Sequence, residues 1–225
     1  MKNPWIKLKG KTSYVLDEDK EAITAFNKKH KGTDYEIKLD QPPAPFVGDL
    51  NAPIILLNAN PGYKKEDKEL YDDKNFLEAA QDNLMHKWEE YYPFYFLDGA
   101  LGKNSGFVWW NQKLKEPICY AGIETVAKKI FVIEYFPYHS VKFRAGFSIP
   151  SQSYAKYLVE KAMKRKSFIV VMRGEKLWLG LVPSLKRYKY HTLDSWQNVA
   201  ISRKNLRGNF DILLKKLKTN GRSAR

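Results

Sequence analysis

The stretch Pro53-Ile54-Ile55-Leu56-Leu57-Asn58-Ala59-Asn60-Pro61-Gly62-Tyr63 decides how this chain is read. A short, unbroken apolar run such as Pro53–Leu57 is the pattern of a strand buried on both faces, as in a parallel sheet. Asn60-Pro61-Gly62 then makes a sharp turn, because proline fixes φ and glycine permits positive φ. The same run recurs at Ile130-Phe131-Val132-Ile133 and Phe168-Ile169-Val170-Val171, and Tyr188–Leu193 reads as a fourth strand.

Helical patterns fill the gaps. They are expected over Asp17–Lys31 (capped by Asp17 and stopped at Gly32), Lys64–Trp88, Phe107–Leu114 and Ile123–Lys129. Others are expected over Ser151–Arg165 (capped by Ser151 or Ser153), Gly174–Val182 (ended by Pro183) and Lys204–Leu217. Strands alternating with helices predict a three-layer α/β/α sandwich around a central, mainly parallel four-stranded sheet. One domain is expected over residues 1–225. Residues 1–45 form a helical extension that ends in the connector Gln41-Pro42-Pro43-Ala44-Pro45, and residues 219–225 form a frayed tail.

Composition narrows the class. No apolar run reaches the ~18 residues that span a bilayer, and the N-terminus lacks the apolar segment of a secretory signal. The only cysteine, Cys119, excludes an intrachain disulfide and a cysteine-based zinc or iron–sulfur site. The expectation is a cytoplasmic monomer without metal or cofactor. Lys and Arg outnumber Asp and Glu by 39 to 25, a net charge of +14, and such an excess favours polyanionic partners. The 14 Tyr, 12 Phe and 6 Trp also suit base stacking, so DNA, single- or double-stranded, is the expected partner. A basic but merely solvated surface is the other reading.

In a parallel sheet the site lies beyond the carboxyl ends of the strands. Three loops there are unusual. The first carries Asn60, which either serves the turn alone or projects a carboxamide into the crevice. The second, Glu134-Tyr135-Phe136-Pro137-Tyr138-His139-Ser140, sets an acid directly after four apolar residues. Such an acid is either paired with a cation or functional, since a lone buried carboxylate is costly. His139 reads more readily as a hydrogen-bonded histidine than as a catalyst. The third loop, Ser195–Asn205, is polar and runs into a helix. It is either a phosphate site or an ordinary start capped by Ser202.

Together these loops resemble the uracil-DNA glycosylase superfamily. Leu56-Leu57-Asn58-Ala59-Asn60-Pro61-Gly62-Tyr63 is similar to the first active-site motif of its mismatch-specific and single-strand-selective branches. Phe131-Val132-Ile133-Glu134-Tyr135-Phe136-Pro137 is similar to the strand that carries the base-reading asparagine. Asn198-Val199-Ala200-Ile201-Ser202-Arg203 resembles the last motif. Glu134 replaces the reading asparagine, and the last motif lacks the histidine of the main branch and the proline and glycine of the mismatch branch.

The resemblance implies hydrolysis of the N-glycosidic bond of a flipped base, one that is modified or damaged. Asn60 would orient the attacking water, and donors near Asn198 and Ser202 would hydrogen-bond the departing base. Tyr63 or Phe107 would stack on the base, while Lys142, Arg144, Arg203 and Lys204 grip phosphate. A carboxylate at Glu134 only accepts, which implies a base with an exocyclic amino group. The alternatives are a nucleic-acid-binding protein that keeps the fold without cleavage, and a small-molecule hydrolase on a similar sheet.

Overall fold

The computed structural model describes residues 1–88, 92–102, 104–195 and 197–218. Its strands are β1 (Phe46–Val47), β2 (Ile54–Asn58), β3 (Ile130–Glu134), β4 (Phe168–Val171) and β5 (Tyr190–Thr192), in the spatial order β1-β3-β2-β4-β5. β2 to β5 pair in parallel. The sheet is therefore mixed and five-stranded rather than four-stranded, because β1 adds antiparallel to the outer edge of β3. A two-residue strand is too short to show a period of two, which is why the sequence pattern misses it.

Every residue of β2, β3 and β4 is buried. Side chains alternate across a strand, so each strand feeds two cores. Ile55, Leu57, Phe131, Ile133, Ile169 and Val171 face one core, which also holds Trp178. Ile54, Leu56, Ile130, Val132, Phe168 and Val170 face the other, with Phe76, Phe94 and Trp110. Burying each such aliphatic side chain contributes about 1.5–3 kcal/mol. Gly48 lets β1 approach β3. Its φ is +106°, and a Cβ there would lie 2.5 Å from the Ile130 carbonyl oxygen. Asn83 covers this edge, donating to Phe46 O at 2.7 Å and accepting from Gly48 N at 3.3 Å.

The first 45 residues belong to the core rather than extending from it: Trp5, Leu8, Leu16, Ile23 and Ile37 are buried in the first cluster. The Tyr138 hydroxyl locks them in place. It donates to buried Asp19 at 2.8 Å and accepts the Leu16 amide at 3.2 Å.

The helices are α1 (Asp17–His30), α2 (Lys74–Leu84), α3 (Ser105–Lys113), α4 (Lys115–Ala121), α5 (Ile123–Lys129), α6 (Gln152–Lys164), α7 (Glu175–Leu181), α8 (Arg203–Leu206) and α9 (Asn209–Lys218). Several differ from expectation for local reasons. Leu16, not Asp17, is the cap of α1, and Asp17 opens the helix as an acid in its first turn. The expected Lys64–Trp88 helix is a 3-10 segment, Lys65–Asp72, followed by α2, because Asp73 caps the amides of Asn75 and Phe76 and restarts the chain. Asn104 caps α3 two residues early. α6 begins without a side-chain cap from Ser151, while Ser153 bonds back to Pro150 O. The last helix is split by Arg207, whose φ is +50°. The expected tail, 219–225, lies outside the described residues. No helix among the described residues is long and apolar enough to cross a membrane.

Candidate functional site

Counted over the parallel strands alone, the spatial order is second, first, third, fourth. The connections therefore leave β2 and β4 in opposite directions. That switch point lies between β2 and β4, and the segments Asn58–Tyr63, Glu134–Ser140 and Met172–Gly174 emerge together beyond the ends of β2, β3 and β4.

The sharp turn expected at Asn60-Pro61-Gly62 does not form: the chain bends at Ala59 and Gly62 joins a β-bridge without a positive φ. Asn60 stands half-buried in this first loop. Its Nδ2 donates to Pro61 O at 2.8 Å and to Ser140 Oγ at 3.0 Å. A carbonyl oxygen only accepts, so the contact with Pro61 assigns the amide orientation. Nitrogen faces the protein, and Oδ1 accepts no hydrogen bond from a described residue. Ser140 is itself buried and donates to Lys142 O at 3.1 Å, which leaves its oxygen free to accept from Asn60. A parallel bridge between Gly62 and Ser140 holds the two loops together.

Asn58 and Glu134 lie one step deeper, as register partners at the ends of β2 and β3. They are 4 % and 5 % exposed, and Asn58 Nδ2 donates to Glu134 Oε1 at 3.0 Å. Trp178 Nε1 fixes the strand end by donating to Asn58 O at 3.0 Å. Asn58 Oδ1 and Glu134 Oε2 are both buried without a partner among the described residues. Burial pushes the Glu134 carboxyl up to about 8; the Asn58 hydrogen bond and the Arg173 charge offset this only in part. The proton is therefore held to a higher pH than on an ordinary carboxyl, and in its protonated form the group can donate as well as accept. The acceptor-only reading from the sequence applies to the ionised form alone. Its alternative, a direct salt bridge, is absent among the described residues: Arg173 is exposed and acts on Glu134 only through its field.

His139 is 5 % exposed, a buried histidine with a backbone carbonyl oxygen facing each ring nitrogen. Nδ1 lies 2.7 Å from Gly62 O and Nε2 lies 3.0 Å from Pro42 O. Burial pulls the ring below its ordinary value, against the raising effect of the two carbonyls.

The two candidate stacking rings are both half-buried. Tyr63 donates to Asp40 Oδ2 at 3.0 Å, and the Lys38 ammonium lies 5.9 Å from its ring centre. Phe107 occupies the first turn of α3, half-buried. That helix start is drawn toward the segment following Tyr63 by the hydrogen bond from Ser105 Oγ to Asp67.

Asn198 and Ser202 find their hydrogen-bond partners elsewhere than Asn60 does. The Asn198 side chain accepts from Lys113 Nζ at 3.2 Å, at the far end of α3. Ser202 is spent as the cap of α8, accepting the Asn205 amide at 3.2 Å. No hydrogen bond joins either residue to Asn60 or Glu134 among the described residues. The expected phosphate grip is also partly occupied. Arg203 makes a two-pronged pair with Asp211 at 2.8 and 3.0 Å, and its own amide donates to Glu116 at 2.8 Å. Lys142 pairs with Asp34 at 2.8 Å, and the Arg144 guanidinium lies 5.3 Å from the Tyr35 ring centre. Lys204 is exposed and forms no ion pair with a described residue.

Sequence reasoning missed Asn58 and Ser140. Asn58 was visible as the last residue of a buried run, but nothing in the sequence placed it beside Glu134. Among the described residues, no group of three or more His, Cys, Asp or Glu side chains could hold a metal. Comparison with protein-family models, with curated proteins and with solved structures gave no match.

Proposed function

We propose that the chain is a DNA-acting N-glycosylase that hydrolyses the bond between sugar and base for one flipped nucleotide. The observation that carries this reading is the Asn60 carboxamide. Its nitrogen is tied to Pro61 O and Ser140 Oγ, so its plane is fixed and Oδ1 is left as an acceptor with no partner among the described residues. A fixed acceptor can hold a water by one of its protons and aim the water's lone pair at the sugar carbon. A carboxamide is too weak a base to deprotonate that water, so its contribution is orientation.

The neighbouring pair supports a base-reading role. Asn58 Oδ1 is an unpaired acceptor and Glu134 can donate while protonated, so the two then offer an acceptor and a donor to an uncharged ring edge. Leaving such groups unpaired costs about 1–3 kcal/mol each, which a ligand of matching polarity recovers. Entry requires the strand-end loops to part, since both atoms are closed to solvent. The net charge of +14 supports a polyanionic partner. The engaged cations are exposed, and surface ion pairs of this kind are weak, so a phosphate can displace the carboxylates cheaply.

The experiment is an abasic-site assay on single- and double-stranded DNA carrying a panel of normal and modified bases. Release of one class of base supports the reading. Tight binding with no release from any substrate favours a protein that binds nucleic acid without cutting it, for which the commitments of Asn198 and Ser202 elsewhere already speak.

A further inference from the structure

We propose that His139 is the positioning residue of the Asn60 loop, donating Nδ1–H to the Gly62 carbonyl and thereby fixing where the Asn60 carboxamide stands. Its effect on catalysis rests on the role proposed for Asn60; its tautomer and its hold on the loop do not.

The geometry is that of a clamp. The His139 ring lies between two segments that the sequence separates widely, the Gln41–Pro45 connector and the Asn60–Tyr63 loop. Its backbone binds a third, since the Lys38 amide donates to His139 O at 2.9 Å. The next residue, Ser140, is the one that accepts from Asn60. The His139 ring and the Ser140 hydroxyl, on adjacent residues of one loop, thus hold the same Asn60–Tyr63 segment.

Both ring nitrogens face carbonyl oxygens, which only accept. Each contact needs an N–H, and a neutral imidazole has one. The shorter distance, 2.7 Å against 3.0 Å, assigns that proton to Nδ1 and hence to Gly62. Burial favours the neutral ring. The charges around it are Asp40 and Asp67, which act on it through space. Asp40 is held by Tyr63, which Glu66 also faces; Lys38 lies over Tyr63 and pairs with Glu36; and Lys142 pairs with Asp34.

The test uses the full chain. Nitrogen-15 NMR of the wild type at neutral pH is expected to report the Nδ1–H tautomer for His139. His139→Asn keeps an amide donor near the Nδ1 position, whereas His139→Gln moves it outward toward the Nε2 position. Exchange of the Gly62 and Tyr63 amides is expected to stay within about threefold of wild type in His139→Asn and to rise ~10-fold or more in His139→Gln. Base release should follow the same order in kcat, with KM changing less. An Nε2–H tautomer, or a reversed ranking of the two variants, or unchanged exchange in both, overturns the proposal. If the wild type releases no base, the tautomer and the exchange ranking still decide it, while the glycosylase reading alone fails.

Discussion

Asn58 and Glu134 face each other across adjacent parallel strands, and the Asn58 carboxamide donates to Glu134 Oε1 at 3.0 Å. One hydrogen bond does not offset full burial of a carboxyl, so its pKa is raised to about 8 and its proton is lost only as pH passes through that value. The pair therefore links fold stability, protonation and the chemistry the strand ends can recognise.

The first prediction concerns stability. A carboxyl raised to about 8 in the folded state, against an ordinary value of 4.5, contributes stability that is fully present below 4.5 and is lost as pH rises through 8. His86 acts in the opposite sense. Burial takes it from 6.5 down to about 4, so its contribution is present above 6.5 and is lost as pH falls toward 4. Between 4.5 and 6.5 the two slopes oppose each other, and above 6.5 only Glu134 remains of this pair. Urea midpoints of the wild type should fall between pH 6.5 and 8, whereas Glu134→Gln, which keeps the acceptor for Asn58, should show no such fall. A wild type that stays flat over that interval would mean Glu134 is already ionised.

Base preference should depend on the same proton. Below pH 8 Glu134 can donate to a ring carbonyl; above it, the carboxylate repels a carbonyl and accepts from an exocyclic amino group. The ratio of uracil-like to cytosine-like release should therefore fall as pH rises from 7 to 9, within the roughly 10- to 100-fold range that one mispaired buried group allows. Glu134→Gln should hold the ratio constant. Equal pH dependence in both proteins would remove Glu134 from base reading.

The edge of the sheet offers a check on the fold itself. Asn83 bonds Phe46 O and the Gly48 amide, both at the β1 edge. Asn83→Ala leaves two backbone groups without their side-chain partner and should lower stability by about 1–3 kcal/mol in chemical denaturation. A loss below the resolution of the measurement would mean water replaces the amide there.

The central strands were legible in the sequence because burial on both faces leaves unbroken apolar runs, such as Ile54–Leu57 and Ile130–Ile133. The edge strand was not, since two residues carry no period. Helix starts moved where a capping side chain decided them: Asp73 restarts the chain ten residues into the expected Lys64–Trp88 helix, and Asn104 starts α3 two residues early. In the candidate site, Asn60 and Glu134 could be singled out because polar residues that follow buried runs stand out. Their partners Ser140 and Asn58 could not, because pairing between strands depends on register, which a single sequence does not carry. Glu134 was read as charged for a related reason: its protonation follows from burial, and burial emerges only from packing.

DNA affinity should be steeply salt-dependent, because bound phosphates release counterions. Substituting Lys142 or Arg144 should reduce the slope of log affinity against log salt by about 0.7–0.9 for each phosphate no longer neutralised. A flat affinity between low and moderate salt would detach the +14 charge from function.

The most direct test of the account is single-turnover base release by Asn60→Ala on whichever base the wild type removes. The fold and DNA affinity should persist, because Asn60 is half-buried in a surface loop, while release slows by on the order of 100-fold or more through loss of the oriented water. Unchanged single-turnover release in a folded, DNA-binding Asn60→Ala protein would contradict the account and reduce Asn60 to a loop residue.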